Sequence, residues 1–264
     1  MDRETLPLAS RRALLRVPAI TALFWIIKGL STALGESTSD FLVHTLQPVP
    51  AVLLGLIGFV GALALQLSMR RYAAVTYWLA VVMVGIFGTM GADVMHVGFG
   101  VPYAVSAVLC ALGLAVIFVS WYVCEGTLSV HSIDTARREL FYWAAVVATF
   151  AMGTALGDLT AVTLKLGYVA SIALFGVLIL VPALGYRFFR WNAVFAFWFA
   201  YVMTRPLGAS FADWFGKPVS AGGLGVGSGP VTVVLALVIT AFVAYSAVTR
   251  CEVQEERATT SGTG

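Results

Sequence analysis

Four aspartates recur at one offset. Asp40, Asp93, Asp158 and Asp213 each stand fifteen residues after a Trp that itself follows an aromatic residue, in the pairs Phe24-Trp25, Tyr77-Trp78, Tyr142-Trp143 and Phe197-Trp198. Ten residues after each of these Trp comes a glycine: Gly35, Gly88, Gly153 and Gly208. The spacing aromatic-Trp-x9-Gly-x4-Asp therefore repeats four times, and it takes four of the only six Asp in the chain. Ionisable groups in apolar spans are costly and face a bundle interior or water. Four related carboxylates around one axis would attract cations and repel anions, and their oxygens suit hard ions such as Mg²⁺, Ca²⁺ or Mn²⁺. The alternative is that each Asp ends a helix or caps a turn at a wetted rim.

The copies also differ. Unit one adds Glu36, four residues before Asp40 and on the same helix face, and Lys28 two turns earlier. Unit four carries Arg205, eight residues before Asp213. A mid-span cation needs a partner, so Lys28 is expected to pair with Glu36, and Arg205 with Asp213 or with an acid of unit one. Such pairs could be purely structural, or could be movable cations that release an acid when substrate or a proton arrives. Thr89 and Thr154, four residues before their Asp, could add hydroxyl ligands or bond back to the helix. His44 and His96 follow Asp40 and Asp93 by four and three residues. A carboxylate beside a His could hold a borderline metal; neither His recurs in the other units, which favours solvated rim residues.

The elements that must position these groups follow from composition. The chain has 264 residues, 60% hydrophobic and 11% charged, with mean hydropathy +0.93. A soluble domain averages about 45–50% apolar and about 25% charged, so lipid is the solvent for much of this surface. A spanning helix needs about 20 apolar residues, and reading for such stretches gives eight: 18–40, 50–69, 72–95, 102–123, 139–163, 168–189, 191–214 and 230–249. The expected fold is all-α, a polytopic integral membrane protein. Its expected divisions are an N-terminal segment 1–17, one transmembrane domain 18–250 (repeats 18–71, 72–138, 139–190 and 191–250) and a disordered tail 251–264.

Basic residues orient the spans. Arg11, Arg12, Arg16, Arg70, Arg71, Arg137, Arg138, Arg187, Arg190, Arg250 and Arg257 all fall on alternate connections or the termini, while the other connections hold only Lys165 and Lys217. Lys and Arg collect on the cytoplasmic side. Both termini are therefore expected in the cytoplasm and the chain in the inner (plasma) membrane. The connection from Glu125 to Glu139 reads as a solvated cytoplasmic loop, and the Gly-rich stretch 216–230 as a floppy outer loop or mobile flap.

Each unit is one motif-bearing helix followed by one plain apolar helix; VPYAVS at 101–106 answers LGYVAS at 166–171. Two crossings per unit make all four units parallel rather than inverted. On these repeats the chain resembles a family of bacterial membrane proteins built from four tandem two-helix repeats, each with a characteristic Trp. The likeness covers roughly 17–250. It implies the architecture and carries over Trp25, Trp78, Trp143 and Trp198, with no settled biochemical role. Those Trp read as interfacial anchors or as contacts between units. The repeated Gly reads as a packing or kink site, with a break in span seven favoured by Pro206 beside Gly208.

Several functions are excluded or disfavoured. No GxxxxGK followed by Ser or Thr, HExxH, GxSxG or CxxC occurs, so no ATP site is expected. Cys110, Cys124 and Cys251 have no paired spacing. A net charge of +3 suggests no nucleic-acid partner. No residues are placed to grip haem or form a retinal Schiff base. The reading is a secondary transporter or channel-like protein moving a small cation, with a divalent metal ion as candidate substrate, through a pathway lined by Asp40, Asp93, Asp158, Asp213 and Glu36. Protonation of a buried carboxylate would couple it to a proton gradient. The alternatives are an interaction or sensor protein using the 125–139 loop, and a metal-dependent membrane enzyme in which His44 and His96 converge. Oligomeric state is not readable from the sequence.

Overall fold

A computed structural model describes residues 15–69 and 71–249. The expectations for Arg11, Arg12, Arg70, Arg250, Arg257, Cys251 and the tail 251–264 lie outside them. The described chain is all-α, with eight long helices: α1 (Ala22–Leu46), α2 (Pro48–Ser68), α3 (Ala74–Asp93), α4 (Tyr103–Glu125), α5 (Ala136–Asp158), α6 (Gly167–Phe189), α7 (Ala193–Gly216) and α8 (Ser228–Thr249). Local chemistry sets their ends. Thr21, Thr135 and Asn192 accept hydrogen bonds from first-turn amides of α1, α5 and α7. Pro48 opens α2 one residue after α1 ends. Gly126, at φ +70, closes α4 in the left-handed conformation.

Six of these helices (α2 to α6 and α8) are long and apolar enough to cross a membrane. The other two, α1 and α7, fall short in apolarity, because they carry Lys28, Glu36 and Asp40, and Arg205 and Asp213. Exposed side chains on α2, α4, α6 and α8 are largely apolar, among them Ile57, Val116, Leu180 and Leu237. A surface this apolar is incompatible with water and marks a helical membrane protein.

The odd-numbered helices form the interior. Contacts run α1 to α3, α3 to α5, α5 to α7 and α7 back to α1, a closed ring. The even-numbered helices lie outside it, each packed chiefly on the first helix of the next unit: α2 on α3, α4 on α5, α6 on α7, and α8 on α1. Each unit thus completes its neighbour, and the last closes on the first.

The repeated glycines lie at the four contacts of the inner ring. A Cβ on Gly35 would lie 2.8 Å from the backbone of Gly85 in α3, and one on Gly88 would lie 3.0 Å from Phe150 in α5. One on Gly153 would meet Arg205 and Pro206 in α7, and one on Gly208 would meet Thr32 and lie 2.9 Å from the Ala33 nitrogen in α1. Only a hydrogen fits at these crossings. The helices run unbroken through all four glycines, and α7 continues through Pro206, so the expected break in span seven is absent. Irregularity comes later: a π turn follows Asp93 (Val94–Gly98) and another follows Asp158 (Leu159–Thr163).

Both polar connections are built into the fold. In the 125–139 connection, Arg138 binds Glu125, Asp134 and the Ser132 carbonyl, Val130 and Ile133 are buried, and the Trp198 indole donates to the Leu128 carbonyl at 3.0 Å. In the Gly-rich connection, amides of Leu224, Gly225 and Val226 donate to carbonyls of Trp214, Lys217 and Phe215. Neither is the open loop that its composition suggests.

Candidate cation site

Three polar or aromatic layers are stacked along the inner ring. At one end, the aromatic pairs touch from unit to unit: Phe24 with Trp78, Tyr77 with Trp143, Tyr142 with Trp198, and Phe197 with Trp25. Trp78, Trp143 and Trp198 are buried and Trp25 half-buried. They pack between units instead of forming an interfacial belt. The Tyr77 and Tyr142 hydroxyls are hydrogen-bonded at the centre. Beside this layer Arg16, Gln66 and Trp143 converge on the fully buried Glu139, a cluster that the sequence reading missed because Arg16 and Gln66 are 123 and 73 residues from Glu139 in the chain.

Lys28 sits one step further along, fully buried, with its ammonium 4.2 Å from the Phe150 ring centre and 4.3 Å from that of Tyr201. The expected Lys28–Glu36 pairing is not formed; Lys28 faces the quadrupoles of two rings and, among the described residues, has no hydrogen-bond partner. Glu36 instead belongs to Arg205, the other partner considered for that cation, across 2.8 Å. Arg205 also donates to the Thr32 carbonyl at 3.1 Å, to Thr154 at 2.9 Å and to Thr89. One guanidinium therefore holds all four units together, using the threonines that occupy the same repeat position as Glu36.

Beyond Arg205 lies a cavity of about 490 Å³, and all five candidate acids line it: Glu36, Asp40, Asp93, Asp158 and Asp213. Asp40 lies within α1, short of its end, because that helix continues to Leu46. Lys217 reaches in to bind Asp40 at 2.6 Å and Asp213 at 3.6 Å. Burial alone would lower the Lys217 pKa, but the facing carboxylates of Asp213 and Asp40 raise it above the ordinary lysine range, so it stays charged. Two acids remain. Among the described residues, Asp93 and Asp158 have no cation within 4.0 Å and no hydrogen-bond donor. Coulomb attraction in a cavity walled by low-dielectric protein would favour a cation beside them.

The two candidate histidines part company. His96 is buried at the edge of the Asp93–Asp158 pair, and ligand atoms of Asp93, His96 and Asp158 lie within 4.8 Å of one another. His44 lines the same cavity but is exposed, contacts the Asp40 carbonyl at 2.6 Å, and does not join that cluster; His44 and His96 do not converge as joint metal ligands.

Three wall residues were missed by the sequence reading. Lys217 was legible as the residue four after Asp213, one turn on. Tyr103 and Tyr168 also line the cavity, and they occupy equivalent places in the VPYAVS and LGYVAS segments.

No curated protein and no solved structure matches the chain. A family match falls on the repeats that build the ring. Residues 23–72, 76–127, 141–190 and 196–251 each match one copy of the Repeat of Unknown Function (DUF347), and the chain belongs to that family of four tandem repeats.

Proposed function

We propose that this protein is a membrane transport protein that carries a small cation, a divalent metal ion included, along a pathway lined by Asp40, Asp93, Asp158, Asp213 and Glu36. In this reading all eight helices cross the bilayer of the inner membrane as four parallel units, with both termini in the cytoplasm. Lengths of 20–25 residues in the inner helices support it, since about 20 residues span the hydrocarbon. The meeting of the aromatic pairs in one layer and of the acids in another supports a common direction for the four units. The positions of Arg71, Arg137 and Arg138 support an acid-bearing end that faces outward.

The single observation that carries the proposal is the convergence of five carboxylates on one cavity, with Lys217 and Arg205 beside three of them and none beside Asp93 and Asp158. In this reading Arg205, bound to Glu36, and the aromatic layer beneath the cavity close the path. In this reading the geometry is one state of an alternating-access cycle, and moving Arg205 off Glu36 opens the other. No ATP motif is present, so a gradient of protons or ions drives the movement, or it is passive.

The test is flux in proteoliposomes, with entry of Mn²⁺ read by a trapped metal-sensitive dye. The native chain is expected to admit Mn²⁺, and the double variant Asp93→Asn/Asp158→Asn to lose at least nine-tenths of the rate, on the order of a tenfold effect worth about 1.4 kcal/mol. Equal rates would overturn the proposal. Loss of function on altering only 125–139, with the acids irrelevant, would favour an interaction or sensor protein.

A further inference from the structure

We propose that Asp93, His96 and Asp158 form a discrete binding site for one divalent first-row transition metal ion, of the Mn²⁺, Fe²⁺ or Zn²⁺ class. The inference deepens the transport reading, on which it rests for the role of the ion as cargo. The geometry around His96 supports it. The three side chains offer ligand atoms within 4.8 Å of one another. Two bonds of about 2.1 Å to one ion put ligands roughly 3–4.2 Å apart, so small side-chain rotations close the set. His96 is only 8% exposed, its Nδ1 is buried, and that atom has no hydrogen-bond partner among the described residues. An unpaired buried imidazole nitrogen is costly unless a ligand is to fill it.

The second nitrogen explains the first. His96 Nε2 lies 2.5 Å from Ser106 Oγ. The Ser106 hydroxyl donates to the Pro102 carbonyl at 3.1 Å, which leaves its lone pairs for the Nε2–H. Assigned this way, His96 carries its proton on Nε2 and a lone pair on Nδ1. A ligating histidine held by a hydrogen bond through its other nitrogen is the usual arrangement around a metal. The Tyr103 ring, 4.3 Å from the imidazole edge-on, fixes its plane.

The pairing is specific to unit two. Ser171 is the repeat equivalent of Ser106, but Ala161 stands where His96 would be, and the Ser171 hydroxyl has no partner among the described residues. The other pair of acids is also different: Asp40 and Asp213 already share Lys217. Two carboxylates and one imidazole form a mixed oxygen–nitrogen donor set. Imidazole selects first-row transition metals over Mg²⁺ and Ca²⁺, which prefer oxygen alone.

The experiment uses the purified full chain in detergent, titrated with Mn²⁺ and followed by electron paramagnetic resonance. One Mn²⁺ per chain is expected, with nitrogen coupling from a single imidazole. His96→Gln is expected to weaken binding at least tenfold and abolish the coupling. Ser106→Ala is expected to weaken binding about tenfold and keep the coupling. His131→Gln, in the connection before α5, is expected to change neither. Absence of Mn²⁺ binding, absence of nitrogen coupling in the native chain, or unchanged binding in His96→Gln would each overturn the site. The native coupling needs no variant, so a misfolded mutant does not spare the proposal. If His96→Gln binds normally while Asp93→Asn/Asp158→Asn abolishes flux, the metal site fails and the transport reading survives. If binding falls as expected but no cation crosses the liposome membrane, transport fails and the site stands.

Discussion

Replacing Glu36 by Gln should destabilise the bundle more than replacing any one of the four cavity aspartates by Asn. The substitution keeps the shape of the side chain and removes its charge. Arg205 is fully buried and Glu36 nearly so, and the carboxylate accepts from Arg205 at 2.8 Å and from Thr89 at 3.2 Å. Breaking a buried pair on one side leaves an uncompensated charge and costs about 3–5 kcal/mol. Arg205→Met should cost a similar amount, because it strands Glu36 and removes the donors to Thr154 and the Thr32 carbonyl. The double variant strands no charge, so it should lose less than the two singles together, by about 2 kcal/mol or more. At about 2–4 °C per kcal/mol, each single variant should unfold roughly 6–20 °C early. The assay is thermal unfolding in detergent at one scan rate, followed by Trp fluorescence. A Glu36→Gln midpoint within about 2 °C of native, or losses that simply add, would refute the claim that this pair locks the four units.

Three further outcomes are expected. Gly208→Ala and Gly35→Ala, which force a Cβ onto a facing helix, should each cost about 1–3 kcal/mol, while Gly29→Ala, with nothing within 4 Å, should be neutral or stabilising by up to about 1 kcal/mol; unfolding midpoints check both. Lys217→Gln should tighten Mn²⁺ binding several-fold, because it frees Asp40 and Asp213 within the cavity; equal or weaker binding would contradict the charge balance described for it. Glu139→Gln should lower the unfolding midpoint by the equivalent of about 1–3 kcal/mol without abolishing Mn²⁺ flux, since its cluster lies at the end away from the acids.

The helices were legible because lipid leaves few options: long apolar runs between basic residues must be helices, and α2, expected at 50–69, occupies Pro48–Ser68. The repeat was legible because the chain aligns with itself. What could not be read was which face of one unit meets which face of another. The Arg205–Glu36 pair joins residues 169 apart in sequence, and intrahelical spacing alone favours Lys28 as readily for that acid. Lys28 settles over Phe150 and Tyr201, a contact with no sequence signature. For the glycines the spacing left packing or a kink open; the close approaches show packing, and the helices run unbroken through the ring. At the candidate site, offsets marked the four Asp and His96. Ser106 could have been found from its place in the VPYAVS segment, whereas the division into a Lys217-bound pair and a cation-free pair depends on side chains from different units.

The most direct test of the central claim is cation flux through liposomes containing the chain with Asp40, Asp93, Asp158 and Asp213 all changed to Asn, a set that alters charge while nearly preserving volume. The account predicts that Mn²⁺ entry falls to the level of protein-free liposomes while the purified variant remains a folded helical protein. A variant that is folded and carries Mn²⁺ as fast as the native chain would contradict it.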